Sequence, residues 1–166
     1  MNDLINDSLE QSVKHLRTAD HLLTTTIKFV GDYKLLILVV QNLFLSLTKA
    51  INALLVYHYS KQNNKDKSDY NKIYYDITRM KFDEKKKLFI PLISKYHFDP
   101  EILSMVLELK NIIIKHEESP VVFTRNKRLI ICDDHYNNTI VDQEFLERVI
   151  NKTKIFIQGV ITLVRE

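Results

Sequence analysis

Long stretches of this chain repeat an apolar residue every third or fourth position. Such spacing places the apolar side chains on one face of an α-helix. The first stretch predicts a helix over residues 3–30, on the spacing of Leu9, Val13, Leu16, Leu23 and Ile27. Gly31 suits the end of that helix, and Asp32 can cap the start of the next one.

The second stretch is the most regular and predicts a helix over residues 33–60. Its apolar positions alternate between steps of four and three, the pattern of antiparallel helix packing. They are Leu36, Val40, Leu43, Leu47, Ala50, Leu54 and Tyr57. Further apolar side chains widen this stripe to a second face, which is either packed inside the protein or an oligomer surface. They are Leu35, Leu38, Phe44, Leu45 and Ile51.

Shorter helical patterns follow a polar segment, residues 60–68, which is predicted to be a linker. Helices are expected at residues 69–80 and 83–96, the second with Pro91 inside it. Another is expected from the start signal Asp99-Pro100 to about Glu117, and a last one over residues 142–165.

The helical spacing of apolar residues ends at Pro120, and the segments VVFTR and RLIIC that follow are rich in β-branched and aromatic residues. Asn126-Lys127 between them predicts a two-residue turn and so a β-hairpin at about 121–132. Residues 133–141 are predicted to be a loop. The expected fold is all-α: one domain, residues 1–166, forming an up-and-down helical bundle with a small β-hairpin inserted before the last helix.

Composition narrows the possible functions. With only 2 Gly among 166 residues, the chain has no glycine-rich phosphate loop, and its single Cys132 cannot form an internal disulfide. The net charge of +3 is compatible with a nucleic-acid partner. The N-terminus does not resemble a signal peptide, and polar residues interrupt the most apolar stretch, so we expect a cytoplasmic protein without a membrane span.

Candidate chemistry lies near the end of the helix that precedes the hairpin, in ELKNIIIKHEESP (108–120). Lys110 and His116 are six residues apart, which is about 9 Å along a helix and about 120° around it. A histidine can move a proton near neutral pH, and a nearby cation can stabilise a phosphate in its transition state. The alternative interpretation is a solvated lysine and a histidine that favours the negative end of the helix dipole.

The chain resembles the HEPN (higher eukaryote and prokaryote nucleotide-binding) family over most of its length. The resemblance rests on Lys110-Asn111 and His116 late in this helix, and on TADHLLTTT and QNLFLSLTKAINALLVYHY in the first two helices. The family motif has Arg where this chain has Lys110. The resemblance implies a homodimeric helical bundle without a cofactor.

In function, the resemblance implies either a metal-independent endoribonuclease or a non-catalytic module of the same fold. In the enzyme, catalysis would use Lys110, Asn111 and His116. A toxin–antitoxin role with a nucleotidyltransferase partner is one expectation. The module would bind a nucleic acid or a protein partner. A helical scaffold unrelated to this family is a further alternative.

A second candidate site is the hairpin tip, where Arg125, Lys127 and Arg128 surround Asn126. These cations could follow a phosphate backbone, or they could be the ordinary polar residues of a turn. Phe123 and Tyr136 are placed to stack on bases, although either could belong to the core. No spacing in the sequence predicts a metal site.

Overall fold

The computed structural model describes residues 2–63 and 67–165. Within these residues, six helices and three strands are formed. Helix α1 consists of Asn2–His21 and Ile27–Val30, joined by the π-helical segment Leu22–Thr26. After the 3-10 turn Tyr33–Leu35 come α2, α3, α4 and α5. Their bounds are Leu36–Asn63, Lys67–Arg79, Phe82–Lys95 and Glu101–Glu118.

Strands β1, β2 and β3 follow, and α6 ends the described chain. The strands are Val121–Arg125, Arg128–Cys132 and Asn138–Val141, and α6 is Gln143–Arg165. The predicted helices are thus confirmed within a few residues of their expected bounds. The predicted linker 60–68 is wrong at residues 60–63 and 67–68, which are helical, and its residues 64–66 lie outside the described part.

The prediction of a lone hairpin in an all-α protein is corrected. The two predicted strands pair, and β3 adds to β2, so the protein is mostly helical with a three-stranded antiparallel sheet before the last helix. Residues 138–141 lie in the segment predicted to be a loop. They become a strand by pairing with β2, a tertiary contact that overrides the weak strand signal of the polar residues Asn138 and Thr139.

Helix α2 is the centre of the molecule, packed by α1, α5 and α6 as in a helical bundle. Its residues 50–57 are almost completely buried. Among the described residues, the segment Tyr33–Gln62, which is the 3-10 turn and nearly all of α2, is long and apolar enough to cross a membrane by length and composition, but 56% of its most apolar window is buried inside the protein. That burial is what the core helix of a bundle requires.

Two serines hold α1 against α2. The Ser12 hydroxyl donates to the Ser46 carbonyl, and the Ser46 hydroxyl donates to the Ser12 carbonyl, both at 2.8 Å. Both residues are buried, and their small side chains allow the helix backbones to approach closely. One turn further, His15 Nδ1 and Asn42 Oδ1 are 3.0 Å apart and share a hydrogen bond. These contacts fix the position of α1 along its axis and its rotation about that axis, both relative to α2.

The helix ends follow the sequence signals. Gly31 adopts a φ of 71° and its N–H donates to the Ile27 carbonyl, which ends α1 in the left-handed conformation that glycine favours. Asp32 accepts from the Lys34 N–H, and Asp99 accepts from the Glu101 N–H. The α4–α5 connection also needs Gly159 on α6, because a Cβ there would lie 2.9 Å from a ring carbon of Phe98.

The core contains the titratable side chain of His58, which meets the half-buried Tyr96. His58, at 5% exposure, has its Nδ1 2.8 Å from the Tyr96 hydroxyl. Burial lowers the pKa of His58, and the nearby Lys95 lowers it further. Burial raises the pKa of Tyr96. Both groups are therefore favoured in their neutral forms, which suits a hydrogen bond in an apolar setting.

Candidate nucleic-acid interface

The three-stranded sheet has one covered face and one open face. Leu129, Ile131 and Val141 point inward and are at most 1% exposed. The side chains of alternate residues point to the other side. There, Phe123 is paired with Ile130, and Ile130 is paired with Ile140, so the three form one row across all three strands. We call this side of the sheet, with Val121 and Arg125 on β1 and Arg128 on β2, the open face.

The open face is apolar and accessible. Val121, Phe123 and Ile140 are 51%, 39% and 52% exposed, and Ile130 is half-buried. Strands lie about 4.8 Å apart, so the row Phe123–Ile130–Ile140 makes an apolar strip about 10 Å wide. Isolated apolar side chains on a surface need no explanation, but a contiguous group is typical of an interaction site.

The cations of the hairpin lie beside this strip, on the side of the turn. Arg125 and Arg128 are register partners, so both side chains share the open face. Asn126 and Lys127 have φ values of 50° and 62°, which confirms the predicted two-residue turn and defines it as type I′. All three basic residues are exposed. The predicted basic hairpin tip is thus present, with an aromatic ring two residues away.

The three basic residues differ in whether they form an ion pair with a carboxylate. Arg128 Nε is 3.8 Å from Asp142 Oδ2, while Oδ1 of the same carboxylate accepts from the Phe145 N–H and caps α6. Within the described residues, Arg125 and Lys127 make no ion pair. These two charges are therefore available to a ligand, while Arg128 also links the sheet to α6.

The loop between β2 and β3 displays Tyr136, the most exposed tyrosine of the described chain at 89%. Its φ of 61° is supported by a turn in which the Asp133 carboxylate accepts from the backbone of His135 and of Asn137. The hydrogen bond from the Asn137 side chain is the main cause that lowers the pKa of Asp133. The loop is thus organised while its aromatic ring points away from the core.

Lys110, the predicted phosphate-stabilising cation, already has a carboxylate partner. Its Nζ is 3.1 Å from Asp83 Oδ1, at the start of α4, and 5.2 Å from the centre of the Phe82 ring. The Lys110 side chain is 30% exposed. A phosphate at this position would have to compete with Asp83, although an exposed ion pair of this kind is weak.

Asn111 and His116 lie on different sides of α5. The buried stripe of this helix consists of Ile102, Met105, Val106, Leu109 and Ile112. His116 continues that stripe and is half-buried, whereas Asn111 is exposed. Five residues of helix separate the two side chains by about 140° around the axis. Among the described residues, no hydrogen bond joins Lys110, Asn111 and His116.

The end of α5 is tied to the sheet by residues that the sequence did not single out. Lys115 Nζ is 3.0 Å from the Thr139 hydroxyl of β3, and the Ser119 hydroxyl donates to the Cys132 carbonyl of β2. A small cavity of about 110 Å³ lies between them. Because Thr139 was assigned to a loop, no sequence signal placed it beside α5.

In the described part of the chain, no group of three or more His, Cys, Asp or Glu side chains could hold a metal ion. Fold and site together define a small, mostly helical protein that carries a three-stranded sheet with an open apolar and basic face. The chain matches no protein-family model, and comparisons with curated proteins and with solved structures found no significant match.

Proposed function

We propose that this is an RNA-binding protein of HEPN-like type that holds single-stranded RNA on the open face of its sheet. The observation that carries the proposal is the row Phe123–Ile130–Ile140 with the paired Arg125 and Arg128 in the neighbouring row toward the turn. Bases of single-stranded RNA stack on exposed aromatic rings, and cations beside the rings follow the backbone.

The charge of this region favours RNA over an apolar protein partner. Residues 121–132 contain three cations and no acid. Arg125 and Lys127 have no carboxylate partner within the described residues, so a phosphate would not have to displace one. A protein that docked on the same strip would have to supply carboxylates on the turn side of it, and this alternative is one outcome of the binding experiment.

Binding has more support than cleavage. In a metal-independent endoribonuclease, His116 would move the proton, Lys110 would stabilise the phosphate, and Asn111 would orient the histidine or the substrate. Within one chain, however, Lys110 is paired with Asp83, and Asn111 points away from His116. Cleavage would therefore need a rearranged Lys110 or a second copy of the motif. The resemblance further suggests a cytoplasmic homodimer and a nucleotidyltransferase as a protein partner.

The test is binding and cleavage of a labelled single-stranded RNA in EDTA. Phe123→Ala should weaken binding about tenfold, since stacking contributes about 1–3 kcal/mol per base. Arg125→Glu should also weaken binding and reduce its dependence on salt. Lys87→Glu, an exposed charge on α4, is the matched control and should bind as the wild type does.

Equal affinity of the wild type and Phe123→Ala would refute RNA binding on the open face. No RNA retention by any variant would favour a protein partner instead. Products that appear with the wild type in EDTA but not with His116→Ala would add the nuclease to the binding function.

A further inference from the structure

A second surface of this protein is an open groove between α1 and the C-terminal part of α6. It encloses about 1130 Å³. The apolar part of its lining comes from side chains such as Val13 and Leu22 on α1 and Ile161 and Val164 on α6. None of these residues belongs to the sheet, so the groove is independent of the proposed RNA site.

The charged part of the lining is ordered along α1. Asp7, Glu10, Lys14, Arg17 and His21 all line the groove and are exposed. Their steps of three, four, three and four residues keep them on one stripe of the helix. The acids occupy the first half of this stripe and the bases the second half.

This order of charges is only partly balanced within a single copy. Glu10 and Lys14, four residues apart, are opposite charges on neighbouring turns, but Asp7 lies beside the like charge of Glu10, and Lys14 lies beside the like charge of Arg17. In the described residues, Glu10, Lys14 and Arg17 make no ion pair, and Asp7 accepts a hydrogen bond only from Gln11. Arg165 also lines the groove, without an ion pair of its own in that part of the chain.

The same order of charges allows two antiparallel copies of α1 to place opposite charges opposite each other. The midpoint between Asp7 and Arg17 falls at residue 12, and so does the midpoint between Glu10 and Lys14. If a second copy of α1 runs antiparallel to the first about a two-fold axis at that level, Asp7 faces Arg17 of the second copy, and Glu10 faces its Lys14. The axis repeats both pairs, as in every isologous interface. The pairing is also that of antiparallel helices with a seven-residue repeat.

We propose that the groove is the homodimer interface of this protein, with the occupant being α1 of a second copy. The four crossed pairs set the register and exclude parallel or shifted arrangements, because those place like charges together. The apolar lining from Val13, Leu22, Ile161 and Val164 supplies most of the association, since exposed ion pairs contribute little.

The experiment measures dimer dissociation by sedimentation equilibrium of the full chain at low and high salt. Glu10→Lys sets Lys14 of each copy against another cation, and Lys14→Glu sets Glu10 against another acid. Each single variant should weaken the dimer at least about tenfold. The double variant E10K/K14E restores opposite charges across the axis and should recover the affinity of the wild type.

Mixing the two single variants gives the sharpest result. An E10K chain and a K14E chain are complementary to each other although neither is complementary to itself, so the mixture should form a heterodimer. Lys28→Glu and Glu108→Lys, exposed charges outside the groove, are matched controls and should leave the dimer unchanged. Thermal melts of each variant show whether a lost dimer is a lost fold.

Two results would overturn the proposal. One is a wild type that stays monomeric at concentrations of about 100 μM in low salt, which would put any dissociation constant well above that concentration. The other is a dimer that neither single variant weakens, which would place the contact on another surface.

Discussion

The two faces of the sheet are built from the same kinds of residue and have opposite surroundings. Leu129, Ile131 and Val141 are covered by the helices, whereas Phe123 and Ile140 on the other side are accessible to solvent. Apolar area that folding buries needs no function to explain it. Apolar area that stays exposed in a row across three strands gains nothing from folding, and so it points to recognition. The comparison predicts that substitutions on the two faces will separate stability from binding.

The largest effect is expected on the covered face. Ile131→Ala removes a fully buried side chain and leaves a cavity, so the free energy of unfolding should fall by about 2–5 kcal/mol. Ile140→Ala, one strand away on the open face, should change it by less than about 1 kcal/mol. Urea unfolding followed by circular dichroism measures both. Equal losses would mean that the open face is covered in solution.

On the open face, the effect should appear in binding instead of stability. Phe123→Ala should lower RNA affinity about tenfold. Its urea midpoint should stay close to that of the wild type. Phe123→Tyr keeps the aromatic ring and should retain affinity. If both substitutions weaken binding equally, stacking is not the contact that Phe123 makes.

Asp142 connects Arg128 on the open face of the sheet to the start of α6. Asp142→Ala removes the side-chain acceptor for the Phe145 N–H and should cost about 1 kcal/mol of stability. Asp142→Asn keeps the cap but removes the charge opposite Arg128, so it should be nearly neutral for stability. It frees Arg128 and should tighten RNA binding slightly. A loss of stability in Asp142→Asn as large as in Asp142→Ala would assign the effect to the ion pair.

The smallest expected effect is a pH dependence of stability that arises from His58 in the core. Burial lowers the pKa of His58 in the folded state, so below pH 6.5 the unfolded chain binds the proton more readily. The stability that the neutral His58 contributes is complete above its unfolded pKa and is lost as the pH falls through its folded pKa. Urea midpoints at pH 7.5 and 5.0 should differ less in His58→Gln than in the wild type. An unchanged difference would exclude His58 as its source.

Helix positions could be predicted because their signals are local. The stripe through Leu36, Val40 and Leu43 and the breaks at Gly31 and Asp99-Pro100 depend on residues within a few turns of one another. The hairpin was predicted for the same reason, since Asn126 is one of the residues that tolerate the positive φ required at the first position of the turn.

The third strand and the surroundings of Lys110 could not be predicted, because both depend on distant partners. Asn138 and Thr139 are polar and become a strand by pairing with β2. Asp83 lies 27 positions before Lys110, and nothing in the sequence indicates that the two side chains meet. The candidate catalytic residues follow from their spacing along one helix and from the family resemblance, and neither reveals which charges are already paired.

The reciprocal serine contact between α1 and α2 has a consequence for the outside of the molecule. Ser12 is locked to Ser46 at the same height along α1 where the proposed two-fold axis crosses. Because this contact lies at the level of the axis, α1 can tilt there while its charge pairs with a second copy stay aligned. A shift of one residue along the helix axis would instead misalign all four pairs. Replacing Ser12 with a bulkier side chain would therefore move α1 relative to α2 and so change the alignment of the two copies in the proposed dimer.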